Sequence, residues 1–228
     1  MRSAMKRTAS SPINLERAAP GDFSGIIFDC DGVLFDSKEA NTAYYNHIRF
    51  AVQLPPMTED EAKYSHMAST DEALERMIPD ALREEALLAR RQTRYRDTFM
   101  NMMRLSPHAT SFLHRMKEQR VNMALCTNRS DSVHEVLKHF DLDAYFSPIM
   151  TITHASPKPD PQGLLEILRV WETGADRVVF LGDSFVDQQA AVAAGIPFWS
   201  FANPDLAAEM HIADFKEMDE IITLMLMR

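Results

Sequence analysis

Asp29 and Asp31 stand one residue apart where the apolar run Gly25-Ile26-Ile27-Phe28 ends. In an extended strand, side chains at i and i+2 share a face. Both carboxylates can therefore converge on one point, just where Gly32 lets the backbone turn. Two carboxylates held so close repel unless a cation or a shared proton lies between them. That demand points to a metal, to phosphate chemistry, or to both, with one acid attacking and the other moving a proton. The plainer alternative is a turn that follows a strand, because Asp-Gly is a common turn pair.

Other residues able to do chemistry also follow apolar runs. Thr127-Asn128 closes the run 121–126, and Gly182-Asp183-Ser184 closes Val178-Val179-Phe180-Leu181, with Asp187 three residues on. Between them lies Pro157-Lys158-Pro159-Asp160-Pro161, a lysine in a loop that prolines stiffen. Taken singly, Lys158 reads as a solvated loop charge, Asp187 as a helix-face carboxylate and Thr127 as an ordinary strand-end residue. In an open parallel sheet, however, ligands bind beyond the carboxyl ends of the strands, so all these segments would meet over one site.

The elements that must position them change period along the chain. Ala40, Ala43, Tyr44, His47, Ile48, Ala51 and Val52 follow helical spacing and stop before Pro55-Pro56. Leu74, Met77 and Ile78 share a helical face before Pro79. Asp80 is placed to cap a longer helix carrying Leu88, Tyr95, Phe99 and Met102. No strand is expected between Ser37 and Leu105. From Ser106 onward helices alternate with strands expected at 121–126, 149–153, 178–181 and 196–201. Uninterrupted apolar strands mark a parallel sheet covered on both faces. The expected architecture is a doubly wound α/β fold: a polar tail over 1–22, a core over 23–36 and 105–228, and a helical insertion over 37–104.

Composition narrows the partners. A formal net charge of −9 over 228 residues argues against nucleic acid or an anionic membrane as the main partner. Two cysteines, Cys30 and Cys126, cannot build a disulfide framework, which suits a reducing, cytoplasmic setting. No apolar run approaches the about 20 residues that a membrane span needs, and residues 1–22 lack the apolar stretch of a secretory signal. The eight histidines form no i, i+4 pair, and His47 reads as a packed residue. Arg90, Arg91, Arg94 and Arg96 read as a solvated helix face.

Taken together and in order, these segments closely resemble the four motifs of the haloacid dehalogenase superfamily, in particular its phosphatase branch with a helical cap after the first strand. The resemblance runs from Phe23 nearly to the end of the chain. It implies a Rossmann-like core, Asp29 as the nucleophile that forms an aspartyl phosphate, and Asp31 as general acid and base. It further implies Thr127 and the backbone of Asn128 as phosphate binders and Lys158 as the orienting cation. Mg²⁺ would be held by Asp29, the Asp31 carbonyl and Asp183, with Asp187 in support.

Dehalogenases proper lack an acid where Asp31 stands, which favours phosphate esters. A related hexose-phosphate mutase would be expected to carry a cap histidine at Asn41, which favours hydrolysis. The implied substrate is a small phosphorylated metabolite, phosphoglycolate or a sugar phosphate among the candidates. The cap segment 64–70, with His66 and Ser69, is polar, reads as the connection between two cap helices and is expected to face the leaving group. The mutase is one alternative, and a binding protein that has lost turnover is another.

Overall fold

The computed structural model describes residues 23–130 and 132–227. The polar tail over 1–22 therefore lies outside the described residues, as does Asp131. A six-stranded sheet forms the centre, from β1 (Gly25–Phe28), β4 (Asn122–Cys126), β5 (Ile149–Met150), β6 (Val178–Gly182), β7 (Phe198–Phe201) and β8 (Met210–Ile212). Its spatial order is β5-β4-β1-β6-β7-β8, with every neighbouring pair parallel. Starting from β1, the chain first builds outward through β4 and β5. It then returns to lay β6 on the other side of β1. That reversal opens a crevice at the carboxyl ends of β1, β4 and β6, where open α/β sheets bind ligands.

Strand alternation explains the two-sided core. Ile26 and Phe28 point into one layer with Leu125, Leu181 and Trp199, packed by α6 (Ala109–Glu118), α7 (Ser132–His139) and α10 (Phe215–Leu226). Ile27, Ala124 and Phe180 point into the other layer, covered by α8 (Gln162–Val170) and α9 (Phe185–Ala194). Because both faces are buried, these strands need no polar alternation. Phe28 anchors the first layer, in edge contact with Phe112 and Phe146 at centroid distances of 6.3 and 5.7 Å.

Between β2 (Phe35–Asp36) and β3 (Arg104–Leu105), an antiparallel pair, the chain is helical. This insertion holds α1 (Lys38–Ala51), α2 (Glu59–Met67), α3 (Thr70–Met77), α4 (Arg83–Gln92) and α5 (Tyr95–Thr98). It carries its own core of Tyr45, Ile48, Val52, Leu74, Met77 and Ala86. Capping boxes start α2 (Thr58 with Glu61) and α3 (Ser69 with Glu72), each satisfying two otherwise free backbone N–H groups.

Several expectations need correction. The single long helix after Asp80 is broken: 3₁₀ turns at Asp80–Leu82 and Met100–Met102 flank α4 and α5. Thr93 leaves the helix with extended backbone while its hydroxyl donates to the Ala89 carbonyl at 2.7 Å, and Leu88, assigned to the apolar stripe, is 54% exposed. Most of segment 64–70 is not a connection, since Tyr64 to Met67 form the last turn of α2. The short pairs β2 and β3 and the edge strand β8 were not foreseen; none offers more than three residues of pattern. Among the described residues no helix is long and apolar enough to cross a membrane.

Candidate active site

The carboxyl ends of β1, β4 and β6, with the loop between β5 and α8, bring Asp29, Asp31, Thr127, Asn128, Asp183 and Lys158 to the wall of one cavity of about 740 Å³. Asp29 is 6% exposed and Lys158 5%. The Lys158 ammonium donates to Asp29 Oδ1 and to Asp187 Oδ1, both at 2.6 Å. Thus Asp187 touches the site through Lys158 from behind, fully buried. It also closes the first turn of α9, where its other oxygen accepts from the Ser184 backbone N–H at 3.1 Å and from the Ser184 hydroxyl.

Asn128 holds the lysine loop. Its Oδ1 accepts from the Lys158 N–H at 2.7 Å, and its Nδ2 donates to the carbonyls of Lys158 at 3.1 Å and of Met67 at 3.0 Å. The last of these ties the core to α2. The buried Thr127 hydroxyl accepts from the Arg129 backbone N–H at 3.1 Å. Gly32 has a φ of +79°, and a Cβ there would overlap the Asp183 carboxylate. A glycine is therefore required both by the turn and by the closeness of the third acid.

Electrostatics separate the acids. Burial, then the Asp187 charge, pushes Asp29 up to about 7 against the opposing pull of Lys158. Burial, then Asp187 and Asp29, pushes Asp183 up to about 8. Burial would also raise Asp31, but the Arg129 guanidinium outweighs it and holds this carboxyl well below the usual range. Burial opposes the charge on Lys158 as well, yet Asp187 and Asp29 hold its ammonium above the ordinary lysine value. Three buried acids this close together repel, and a cation held among them would relieve that repulsion. Asp29, Asp183 and Asp187 can each offer an oxygen within 4.8 Å of the others, an all-oxygen set that fits Mg²⁺. With Asp187 engaged by Lys158 and Ser184, Asp29 and Asp183 are the freer ligands.

Sequence reasoning missed Arg129. Its Nε and one terminal nitrogen donate to the two oxygens of Asp31, each at 2.6 Å, a bidentate pair. The same nitrogen lies 3.2 Å from Asn41 Oδ1 and 3.4 Å from the Tyr95 hydroxyl, while the Ser37 hydroxyl also donates to Asp31. Arg129 directly follows Thr127-Asn128, and that adjacency was its available signal.

His66 lines the cavity, lies near enough to Asp31 to act on its charge, and has a buried Nδ1 with no hydrogen-bond partner among the described residues. Ser69 sits elsewhere, as the N-cap of α3 with its hydroxyl on Glu72 at 2.7 Å. Arg90, Arg91, Arg94 and Arg96 all border the cavity, which corrects their reading as a merely solvated face. Cys30 and Cys126 are buried, and burial pushes the Cys126 thiol up to about 12, so neither is a reactive thiolate.

Comparison with known proteins agrees with this geometry. The chain is 29% identical over 182 residues to a phosphoglycolate phosphatase of Mesorhizobium japonicum, covering 75% of this chain and 79% of the relative. It is 27% identical over 203 residues to the phosphoglycolate phosphatase of Escherichia coli K12, covering 77% and 80%. Among solved structures, a haloacid dehalogenase superfamily hydrolase of subfamily IA from Geobacter sulfurreducens superposes with a TM-score of 0.75 at 33% identity, over 87% of this chain and 99% of that one. The family profile of haloacid dehalogenase-like hydrolases matches residues 26–201, from β1 to the end of β7, and the chain belongs to that family.

Proposed function

We propose that the protein is a Mg²⁺-dependent phosphatase that hydrolyses a small phosphorylated metabolite through an aspartyl phosphate on Asp29. The observation that carries this reading is the contact of Asp29 Oδ1 with the Lys158 ammonium at 2.6 Å, at the end of β1 and in the cavity that holds Thr127 and Asp183. A carboxylate so held has one oxygen fixed and the other free to attack phosphorus in line. Phosphoryl transfer to an anion requires positive charge around the phosphoryl oxygens. Lys158 supplies part of it, and Mg²⁺ at Asp29, the Asp31 carbonyl and Asp183 would supply the remainder.

Thr127 and the backbone that follows it, which line the cavity, would bind the phosphoryl oxygens from the β4 side. Asp31 is the group suited to protonate the leaving alcohol and then to draw a proton from the water that opens the acyl phosphate. In the resting arrangement its carboxylate is occupied by Arg129. An arriving phosphate dianion offers that guanidinium a second partner, which would free Asp31 to take up a proton. The helical segment 37–104 acts in this reading as a cap that closes over the ester and excludes water. The relatives named as phosphoglycolate phosphatases place a small phosphate ester among the first substrates to test.

Asp29→Asn is the decisive variant. It keeps the shape and removes the attacking charge, so Mg²⁺-dependent release of inorganic phosphate from a panel of metabolite esters should fall to background while the thermal unfolding curve stays cooperative. Retained turnover in this variant would remove Asp29 as nucleophile.

A further inference from the structure

The two oxygens of Asp31 are held unequally. Oδ1 accepts from the Ser37 hydroxyl, from a terminal nitrogen of Arg129 at 2.6 Å and from Asn41 Nδ2 at 3.3 Å. Oδ2 accepts, among the described residues, from Arg129 Nε at 2.6 Å alone. A carboxylate oxygen offers about two lone-pair sites. Oδ1 is therefore saturated, and Oδ2 keeps room for a proton.

The donors to Oδ1 are aimed in their turn. Asn41 points its NH₂ at Asp31 while its own carbonyl oxygen accepts from the Tyr95 hydroxyl at 2.8 Å and from Arg129 at 3.2 Å. A flipped amide would set oxygen against the Asp31 carboxylate and NH₂ against the guanidinium, so the Tyr95 hydroxyl helps decide which way Asn41 faces. Tyr95 comes from beyond the break at Thr93, 54 residues after Asn41. Its ring is fixed by edge contact with Tyr44 at 5.3 Å, by Phe99 at 5.9 Å and by the Arg129 guanidinium 5.2 Å from the ring centre. A ring held on three sides makes its hydroxyl a fixed post.

We infer that Tyr95 is a positioning residue for proton transfer: through Asn41 it fixes Asp31 Oδ1 and leaves Oδ2 as the oxygen that carries the proton. This deepens the phosphatase reading and rests on it. In the step concerned, an Asp29 oxygen bonds to phosphorus and the bond from phosphorus to the alcohol oxygen breaks. The proton on Asp31 Oδ2 passes to that oxygen, which leaves a neutral alcohol and a carboxylate. Once the phosphoryl group shares Arg129, Ser37 and Asn41 remain to aim Asp31, and Tyr95 keeps Asn41 in place.

Tyr95→Phe removes one hydroxyl and keeps the ring contacts, so the variant should fold. Its effect is read in Mg²⁺ with two esters of similar shape: phenyl phosphate, whose basic leaving oxygen gains from a proton, and 4-nitrophenyl phosphate, whose phenolate departs with little need of one. In Y95F, kcat/KM should fall about three- to tenfold further for phenyl phosphate than for 4-nitrophenyl phosphate, the scale of one hydrogen bond. N41A should show the same split, and adding Y95F to it should change the split by less than about twofold, because both substitutions act on one path. A tyrosine that only packed, or that touched the ester directly, would lower both esters alike. Equal losses on the two esters, or a split in the double variant equal to the product of the single ones, overturn the inference and leave the phosphatase reading standing. If the wild type turns over 2-phosphoglycolate but neither aryl ester, Y95F should lower kcat for it by about threefold or more with KM unchanged; an unchanged kcat overturns the inference. If none of the three esters releases phosphate, the phosphatase reading falls and the positioning role falls with it.

Discussion

Lys158→Met is the perturbation that most directly probes the charge balance of the site. Methionine keeps the length of the side chain and its packing against Phe180, whose ring centre lies 5.5 Å from the ammonium. What disappears is one cation with two contacts of 2.6 Å to Asp29 and Asp187, which are 6% and 0% exposed. Removing one partner from a buried ion pair costs about 3–5 kcal/mol, chiefly because the remaining charge is left unpaired. Two compensations put the expected loss at the lower end, about 3 kcal/mol: the ammonium no longer has to be desolvated, and Asp29, which titrates near 7, can take up a proton. For a domain of this length that corresponds to a melting temperature lower by about 6–12 °C.

The pH dependence of the loss identifies its source. Lys158 titrates above the ordinary lysine value of 10.5, so its own contribution is fully present below that pH and constant between pH 5 and 9. Any variation in that window comes from the acids. At pH 5.5 Asp29 and Asp183 are largely protonated and leave less charge stranded, so the variant should lose less stability there than at pH 8.5. Thermal unfolding in chelator at the two pH values reads this directly. Adding Asp187→Asn, which keeps the oxygen that caps Ser184, should restore part of the loss. With Mg²⁺ present, kcat should fall by about 10²–10³, the scale of losing one donor that stabilises the transition state. A stability loss under 1 kcal/mol, or no recovery from the second substitution, would refute the charge-balance account.

Two other outcomes follow from the same geometry. Gly32→Ala forces an L-residue into a positive φ, at about 1–2 kcal/mol, and drives its methyl into Asp183; denaturant titration should show the destabilisation, and phosphate release should fall by more than it does for a surface Gly→Ala change. In metal-free protein Asp29 and Asp183 have folded-state values of about 7 and 8 against an ordinary 3.8, so the folded chain binds more protons than the unfolded one between pH 4 and 8, and these groups lose stability as pH rises through that range. Mg²⁺ replaces those protons, so the rise in melting temperature that it brings should be larger at pH 8 than at pH 5.5, as calorimetric scans with and without the ion would show.

How much of this was legible depended on where each residue's partner lay. Asp29, Asp31, Lys158 and Asp183 were readable because each follows a hydrophobic strand or sits between prolines, and a parallel sheet collects strand ends whatever the loops do. Arg129 was not, because its meaning comes from Asp31, 98 residues earlier. Periodicity likewise placed Arg90 and Arg94 one helical turn apart, but it says which residues share a face and nothing of what lies across from it. The long helix after Asp80 failed at Thr93, whose hydroxyl found a backbone carbonyl four residues back and allowed the chain to leave the helix. That break is consequential, since it turns Arg94 and Tyr95 toward the cavity.

Asp31, the proton-moving acid of the proposed function, is thereby made dependent on the insertion. Asp31 is held by Ser37 at the entry to α1, by Arg129 from the core, and at 3.3 Å by Asn41 on α1. Asn41 is in turn hydrogen bonded at 2.8 Å by the Tyr95 hydroxyl, from beyond the break at Thr93. Asn128 adds a second tie, from the lysine loop to the end of α2. Separating the helical segment from the sheet would break the Arg129 contacts with Asn41 and Tyr95 and the Asn128 contact with Met67 together, loosening Arg129 and the loop that carries Lys158 at the same moment. The helical segment and the core residues around Asp31 and Lys158 are therefore joined by a few hydrogen bonds. In the proposed phosphatase, a ligand that drew the helices down would thereby also set Asp31 and Lys158 on the other side.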